Sequence, residues 1–347
     1  MPKRIVKVRV AGTAEQTAEH QTTSAPASTA APETTESPTK KAKKRRSLRD
    51  YLALIIILVG LAVIIYPAYS TLNNARHASR AVAAYDESVE KLSEEKYDTL
   101  LQEARDYNQN LFARNGTAAP PLADADDYMS TGVARKESAM NEVPYPGALP
   151  GYMQILNLNG DGMMGYLTIP TLSLKVPVYH TTEEIVLQVG AGHLANTSLP
   201  VGGASTHTVL SGHRGLPTAR LFTDLDQVKV GDKVYLTILK EKLAYEIDQI
   251  LTVLPSETEA LHITEGADEI TLVTCTPYGV NTHRLLIRGH RVPYVEKEVE
   301  EAEDSVPWYQ NIPEQYLWTG GALLLLLILF LLWWLVHRWR KRRKKKQ

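Results

Sequence analysis

Two uncharged apolar runs near the ends of the chain constrain its fold more than any other feature. The first extends from Tyr51 to Ala68 and the second from Leu317 to Val336. Each run has about the length that a helix needs to cross the hydrocarbon core of a bilayer. The sequence therefore predicts two transmembrane helices, over residues 51–68 and 317–337.

The charged residues are distributed around these two runs. Residues 1–50 carry 11 Lys and Arg against 5 Asp and Glu, residues 68–316 carry 19 against 34, and residues 338–347 carry 8 and no acid. Because basic residues collect on the cytoplasmic flanks of membrane spans, we expect both termini in the cytoplasm and the acidic middle outside the cell. The membrane accounts for the basic clusters beside the runs, so nucleic-acid binding is set aside.

The remaining segments differ in composition. Residues 1–50, rich in Ala, Thr, Ser and Pro, read as a disordered basic tail, and the first run as a retained anchor rather than a cleaved signal peptide. Residues 69–115 show apolar positions at helical spacing, and 116–151 form an irregular stretch typical of a lid, binding loop or linker. An acidic linker at 296–316 and a basic tail at 338–347 flank the second run.

Residues 152–295 are predicted to form a separate all-β domain. Between Met163 and Pro293 about eight short β-rich runs follow one another at close spacing, which favours a small barrel or sandwich. Gly231 and Asp232 stand between two apolar runs and predict a hairpin.

The chain contains a single cysteine, Cys275. It cannot form an intramolecular disulfide, so it is either a buried core thiol or a functional one. It ends the apolar run that begins at Ile270, and Thr276-Pro277-Tyr278-Gly279 then stops the strand. A thiol at a strand end lies at the rim of a barrel, which favours function, and a nucleophilic thiol needs a base or a cation nearby.

His213 and Arg284 are the candidate partners of this thiol. His213 also follows a strand-like run and lies between Gly212 and Gly215, although a loop histidine without a role is the common case. Arg284 opens the run after the cysteine loop, where a hairpin would return it to the thiol, although it could equally be an ordinary surface arginine. Together the three supply a nucleophile, a proton carrier and a cation.

These residues resemble the signature of the sortase family. The run TLVTC followed by an arginine nine residues on, and the segment SGHRG, are similar to the family's cysteine and histidine motifs. The stretches TLVTCTPYGVNTHRLLIRGHRV and NLNGDGMMGYLTIP, with the second apolar run, resemble class C, the pilin-polymerising sortases of Gram-positive bacteria. The resemblance covers about residues 140–293.

The resemblance implies an eight-stranded β-barrel with N-terminal helices, a lid loop and two transmembrane helices. It also implies a cysteine transpeptidase in which Cys275 attacks the Thr carbonyl of an LPxTG-like sorting signal on a pilin or surface protein. Arg284 would stabilise the oxyanion, and His213 would act as acid and then as base. A pilin lysine would accept the acyl group, and neither a cofactor nor a metal is expected.

Class C sortases carry a lid with an Asp-Pro-aromatic motif, and Val143-Pro144-Tyr145-Pro146 resembles it. Pro144 and Tyr145 match, whereas Val143 replaces the acid. Residues 126–128, Asp-Asp-Tyr, are an alternative acidic plug without the proline. We expect Tyr145 to occlude the cleft until the lid opens.

Two other functions remain open, and one segment resembles a metal site. A housekeeping sortase would anchor surface proteins to cell-wall peptide, and a membrane-tethered β-domain scaffold would keep Cys275 buried and unreactive. Asn157, Asn159 and Asp161 resemble the start of a calcium loop, but the twelfth position is Thr168, so we interpret the segment as a turn. The sequence gives no oligomeric state.

Overall fold

The computed structural model describes residues 48–118 and 148–299, together with residues 320, 321, 323, 325, 328 and 339. The chain divides into two compact units, Met1–Leu52 and Ala53–Gln347. In the first unit the described residues are the first turn of a helix. The strands and the residues of the candidate site all belong to the second unit.

Two long helices precede the strands, α1 at Leu48–Glu90 and α2 at Glu94–Asn115. The hydroxyl of Ser93 accepts a hydrogen bond from the Lys96 amide and begins α2, and Gly116, with φ of 59°, ends it by donating to the Phe112 carbonyl. The predicted N-terminal helices are therefore confirmed. The apolar positions of α2 are buried at helical spacing: Leu100, Leu101, Ala104, Tyr107 and Leu111.

The predicted membrane and lid segments are covered unevenly by the structure. The first predicted span, 51–68, lies within α1. Across the described residues, no helix has both the length and the apolar character that crossing a bilayer requires. Most of the second predicted span, the N-terminal tail up to residue 47, residues 300–316 of the linker and residues 119–147 of the lid lie outside the described residues.

Eight strands close into a barrel in the order β1-β2-β3-β4-β7-β8-β6-β5, and β5 pairs with β1 to complete it. This confirms the eight-stranded barrel rather than the sandwich. The strands are β1 (Met163–Ile169), β2 (Leu174–His180), β3 (Ala191–His193), β4 (Thr206–Ser211), β5 (Lys233–Ile238), β6 (Glu241–Val253), β7 (Asp268–Thr276) and β8 (His283–Val292). A one-turn helix, α3 (Glu184–Leu187), joins β2 to β3.

Most neighbouring strands run antiparallel, but β2–β3 and β4–β7 are parallel. The parallel pairing matters for the site because it brings the ends of β4 and β7 to the same rim of the barrel. Most buried apolar side chains of the strands belong to one core, among them Leu167, Leu236, Tyr245, Ile270, Leu272 and Ile287. A second, smaller cluster contains Val209, Val273 and Leu286. Burial of these side chains from water provides the main driving force for closing the barrel.

The hairpin predicted at Gly231 and Asp232 is wrong. The backbone N–H of Lys229 donates to the Asp232 carboxylate at 2.9 Å, and the Asp232 amide donates to the Lys229 carbonyl at 3.0 Å. These local bonds compete with strand pairing, so the segment before Lys233 is a turn and Val230 is 63% exposed. The hairpin of this region joins β5 to β6, where Ile238 pairs with Glu241.

Candidate active site

Cys275 is the penultimate residue of β7, a strand that lies between β4 and β8 in the barrel. The thiol therefore lies at a strand end, as the sequence predicts. Its neighbours on either side come from segments that are distant from each other in sequence. The chemistry of this rim depends on which side chains those two strands supply.

Arg284 faces Cys275 across the β7–β8 ladder. The two residues are register partners in an antiparallel pair, so their side chains project from the same face with Cβ atoms about 5 Å apart. The Nη1 group of Arg284 donates to the carbonyls of Asn281 and His283, both at 3.2 Å. These bonds hold the guanidinium at the turn that connects the two strands.

The segment that leads into His213 lies on the other side of β7. The parallel β4–β7 register ends with Ser211 opposite Val273. The segment continues alongside β7, because the Gly212 amide donates to the Val273 carbonyl at 3.1 Å and the Thr274 hydroxyl donates to the Gly212 carbonyl at 2.7 Å. If this register continued for two more residues, the backbone of His213 would align with that of Cys275.

Glycine at position 212 is required by the packing behind this segment. A Cβ there would come within 2.7 Å of the Phe222 ring, which is fully buried. The Phe222 amide also donates to the His213 carbonyl at 3.1 Å. The histidine segment is thus held between β7 on one side and the chain around Phe222 on the other.

The three side chains are shielded from solvent to different degrees. Cys275 is 3% exposed and Arg284 7%, whereas the side chain of His213 is 16% exposed. Burial of the thiol is compatible with either a core cysteine or a nucleophile. A core cysteine, however, has no need of an imidazole and a guanidinium in the two flanking strands, and a nucleophile does.

Two residues near the site were not found from the sequence. The Glu184 carboxylate of α3 lies 3.0 Å from Nε2 of His213. Arg214 donates from Nη1 to the Thr276 hydroxyl at 3.0 Å and forms an ion pair with Asp226. Arg214 follows the predicted histidine directly, which was a usable signal, but nothing in the sequence connects Glu184 to a histidine 29 positions later.

A groove of about 640 Å³ runs along α3 but is not lined by Cys275, His213 or Arg284. Its lining includes Met153, Tyr179, Glu183, Ile185, Val186 and Val189. Pro144 and Tyr145, the predicted lid residues, lie outside the described residues. The structure therefore describes the strand-borne part of the predicted site.

The calcium-like segment is a turn, as predicted. The side-chain oxygen of Asn157 accepts a hydrogen bond from the Gly162 amide at 2.9 Å, and Asp161 accepts one from the Met163 amide at 3.0 Å. Both side chains thus stabilise the backbone that leads into β1. This is the local capping role typical of Asn and Asp in turns.

The family model, the solved structures and the curated relatives that this chain resembles are all sortases. Residues 167–292 match the family model described as Sortase domain. A crystal structure of sortase C1 from Streptococcus agalactiae is 44% identical, with a TM-score of 0.52, over 62% of this chain and 100% of that one. Sortase C1 of GBS Pilus Island 1 is 38% identical with a TM-score of 0.50, over 63% and 94%. Sortase A of Bacillus anthracis is 24% identical over 248 residues, or 72% of this chain and 96% of that protein.

Proposed function

The chain belongs to the sortase family of cysteine transpeptidases, and on that premise we propose that it polymerises pilin subunits through their sorting signals. The observation that carries this proposal is the arrangement of three chain segments at one rim of the barrel. Cys275 and Arg284 are register partners in β7 and β8, and on the other side of β7 the chain continues from β4 into His213. Each supplies one of the functions that acyl transfer requires.

The first half of the proposed reaction forms a thioester. The Cys275 thiolate attacks the carbonyl carbon of Thr in an LPxTG-like signal, and Arg284 stabilises the negative charge that develops on the carbonyl oxygen. The Thr–Gly bond then breaks, and the glycine amine leaves with a proton from His213. The acyl group remains on sulfur, so the free energy of the peptide bond is conserved without ATP.

The second half transfers the acyl group to an amine. A lysine of the next pilin subunit gives a proton to His213 and attacks the thioester carbon. The C–S bond breaks, the thiolate is restored, and an isopeptide bond joins the two subunits. The likeness to sortase C1 proteins, one of them of a pilus island, supports a pilin as the acceptor.

A housekeeping activity is the second candidate function. Sortase A of Bacillus anthracis aligns along 96% of its own length, so this chain also resembles a sortase that is not of class C. In a housekeeping sortase a cell-wall peptide would be the acceptor. The two activities share the thioester and differ only in the amine that resolves it. Supplying purified pilin or a cell-wall peptide to the same acyl-enzyme distinguishes them.

The proposal also assigns the catalytic residues, the lid and the membrane topology of the chain. Cys275, His213 and Arg284 are the catalytic residues, and Pro144 and Tyr145 form a regulatory lid over the cleft. Two membrane spans, at 51–68 and 317–337, hold the catalytic domain outside the cell with both termini in the cytoplasm. The segregation of charge along the sequence and the two uncharged runs support this topology.

The decisive experiment replaces the nucleophile. In a strain that lacks other sortases, Cys275→Ala is expected to abolish covalent high-molecular-weight surface polymers while the protein is still expressed. Polymers that persist unchanged in the variant strain would remove the proposal. Loss of cell-wall anchoring with polymers intact would instead favour the housekeeping activity.

A further inference from the structure

The Glu184 carboxylate contacts the imidazole that we propose as the proton carrier. Its Oε2 atom lies 3.0 Å from Nε2 of His213, a normal distance for a hydrogen bond between a ring N–H and a carboxylate. The two side chains come from α3 and from the segment after β4, which are 29 residues apart in sequence. The contact is therefore a product of the folded barrel.

The helix that carries Glu184 is fixed to the barrel. Leu187 of α3 is fully buried, and a Cβ on Gly192 of β3 would come within 3.1 Å of it. The Leu187 amide donates to the Glu183 carbonyl at 2.9 Å, and Gln188 donates from its side chain to Oε1 of Glu184 at 3.1 Å. The Glu184 carboxylate is thus positioned by the packing of α3 and by the hydrogen bond from Gln188 to Oε1, and only Oε2 is directed to the histidine.

This geometry decides which ring nitrogen can react. A neutral imidazole has one N–H, and the hydrogen bond made by one nitrogen sets the protonation of the other. Because Oε2 accepts from Nε2–H, the neutral ring carries its proton on Nε2. Nδ1 is then the nitrogen with a free lone pair, able to take the proton of the incoming amine and to return a proton to the leaving one.

We propose that Glu184 is a positioning residue that fixes the Nε2–H tautomer of His213, so that proton transfer in acyl exchange takes place at Nδ1. This inference rests on the proposed function, since it gives His213 the role of acid and base. The carboxylate does not touch the substrate and acts through the ring. The carboxylate side chain is 36% exposed, so it orients the ring beside solvent rather than in a sealed interior.

Three variants of Glu184 separate orientation from charge. Glu184→Gln keeps an oxygen that accepts from Nε2–H but loses the charge, Glu184→Leu keeps the bulk and loses the acceptor, and Glu184→Ala loses both. Because general acid–base catalysis contributes about 10²–10⁴-fold, misorienting the ring is expected to lower kcat about tenfold in the Leu and Ala variants. The Gln variant is expected to retain most of the wild-type kcat, and KM changes little in all three.

The experiment uses the full-length chain with a fluorogenic peptide carrying an LPxTG-type motif and a free amine as acceptor. Nitrogen-15 NMR of histidine-labelled protein, with His213 identified through a His213→Ala variant, reports the tautomer directly. Wild type and Glu184→Gln are expected to show Nε2–H, and Glu184→Leu a mixture of tautomers. Glu265→Ala, an exposed acid before the opposite end of β7, is the matched control and leaves tautomer and kcat unchanged.

The outcomes distinguish the inference from the function on which it rests. An Nδ1–H tautomer in the wild type, or a Leu variant with unchanged kcat, overturns the positioning role while Cys275-dependent turnover still stands. A fall of kcat in the Leu variant without any change of tautomer also overturns it, because the effect is then structural. Peptide turnover that survives Cys275→Ala overturns the proposed function itself.

Discussion

Cys275 and Arg284 are directly opposed residues of the antiparallel β7–β8 ladder, and the strand on the other side of β7 leads into His213. In the proposed site the sulfur would lie between a proton carrier, His213, and a permanent cation, Arg284. The connecting turn fixes the guanidinium through two backbone carbonyls. This arrangement leads to the first prediction.

Arg284→Ala is expected to reduce kcat/KM for peptide transfer by about 10²-fold, the usual effect of removing one donor to a developing oxyanion. Arg284→Lys keeps the charge but loses the planar fork, so we expect it to recover only part of the activity. Steady-state kinetics with the fluorogenic peptide measures both.

Arg288→Ala, on the same strand, is the control for general damage to β8. It loses ion pairs with Asp248 and Glu269, at 3.0 and 3.6 Å, and is expected to lower the melting temperature while sparing kcat/KM of the folded protein. Equal activity losses in Arg284→Ala and Arg288→Ala contradict a specific role for Arg284.

Thr274→Val is expected to weaken both stability and catalysis. Its hydroxyl donates to the Gly212 carbonyl at 2.7 Å and joins β7 to the histidine segment. Losing a buried hydrogen bond and leaving its acceptor unpaired costs about 1–2 kcal/mol in the free energy of unfolding. Without this bond we expect the segment that carries His213 to move away from β7. Because small misplacements of reacting groups are costly, kcat is expected to fall about tenfold.

Thr274→Ser keeps the hydroxyl and is expected to restore kcat. Urea denaturation and peptide turnover, measured on the same preparations, test the prediction. A valine variant that is destabilised but fully active would show that the bond supports the barrel without orienting the site.

The stability of the barrel is expected to fall as the pH drops below neutrality. His193 is fully buried, with Nε2 at 2.8 Å from the Ser198 carbonyl and Nδ1 at 2.9 Å from the Tyr152 hydroxyl. Burial lowers the pKa of His193 to about 3, and burial also lowers the pKa of His180. The unfolded chain therefore binds more protons than the folded one below its own pKa of about 6.5.

The stability that neutral His193 contributes to the free energy of unfolding is present in full above pH 6.5. It is lost as the pH falls toward the pKa of the folded state. At pH 5 the loss from this group is about 2 kcal/mol, from 1.36 kcal/mol per pH unit. Unfolding free energies measured from pH 7.5 to 4.5 are expected to show a shallower slope for His193→Gln than for wild type. Identical slopes would assign the titration to other buried groups.

Tyr85→Phe is expected to loosen α1 from the barrel. The buried hydroxyl donates to the Met164 carbonyl at 2.6 Å and accepts from the Leu239 amide at 2.8 Å. Removing it leaves two buried backbone groups unpaired, which lowers the free energy of unfolding by about 3 kcal/mol. Urea denaturation of the full-length chain measures the loss.

Tyr97→Phe provides the matched comparison. Its hydroxyl bonds to the Glu241 carboxylate at a partly buried site, where water can replace it, so the expected loss is under about 1 kcal/mol. If the two variants were equally stable, the hydroxyl of Tyr85 would not be the link between helix and barrel.

Tyr145→Ala is expected to speed the labelling of Cys275 by a thiol reagent several-fold, because the proposed lid would no longer cover the sulfur. Tyr128→Ala, in the same loop, tests the alternative plug at 126–128. We would abandon the lid if the labelling rate of Tyr145→Ala equalled that of wild type.

Sequence patterns predicted a small barrel or sandwich because its strands are short, apolar and separated by turn residues. The resemblance to a family with local motifs then implied the eight-stranded barrel. The position of Arg284 opposite Cys275 was predictable, because a hairpin returns the chain beside the preceding strand. The hairpin at Gly231 and Asp232 was wrong because the Asp232 carboxylate bonds to the backbone, which an apolar pattern does not reveal.

Other contacts arise only from the tertiary fold. The parallel pairing of β4 with β7 depends on how the barrel closes, and no local signal places Glu184 beside His213 or Tyr85 beside Met164. Such contacts join residues far apart in the chain. A single sequence contains no information on which of many acids or tyrosines will take these positions.

The parallel β4–β7 pairing also affects how the protein matures. Gly212 and Thr274 are 62 positions apart, and β5 and β6 lie between them in the chain. Contacts between such distant parts of a chain form late in folding, after a large loss of chain entropy. We therefore expect the proposed pair of sulfur and imidazole to be assembled only when the barrel has closed, so that an incompletely folded chain would lack transfer activity. The topology of the barrel would then keep the chain inactive during biosynthesis.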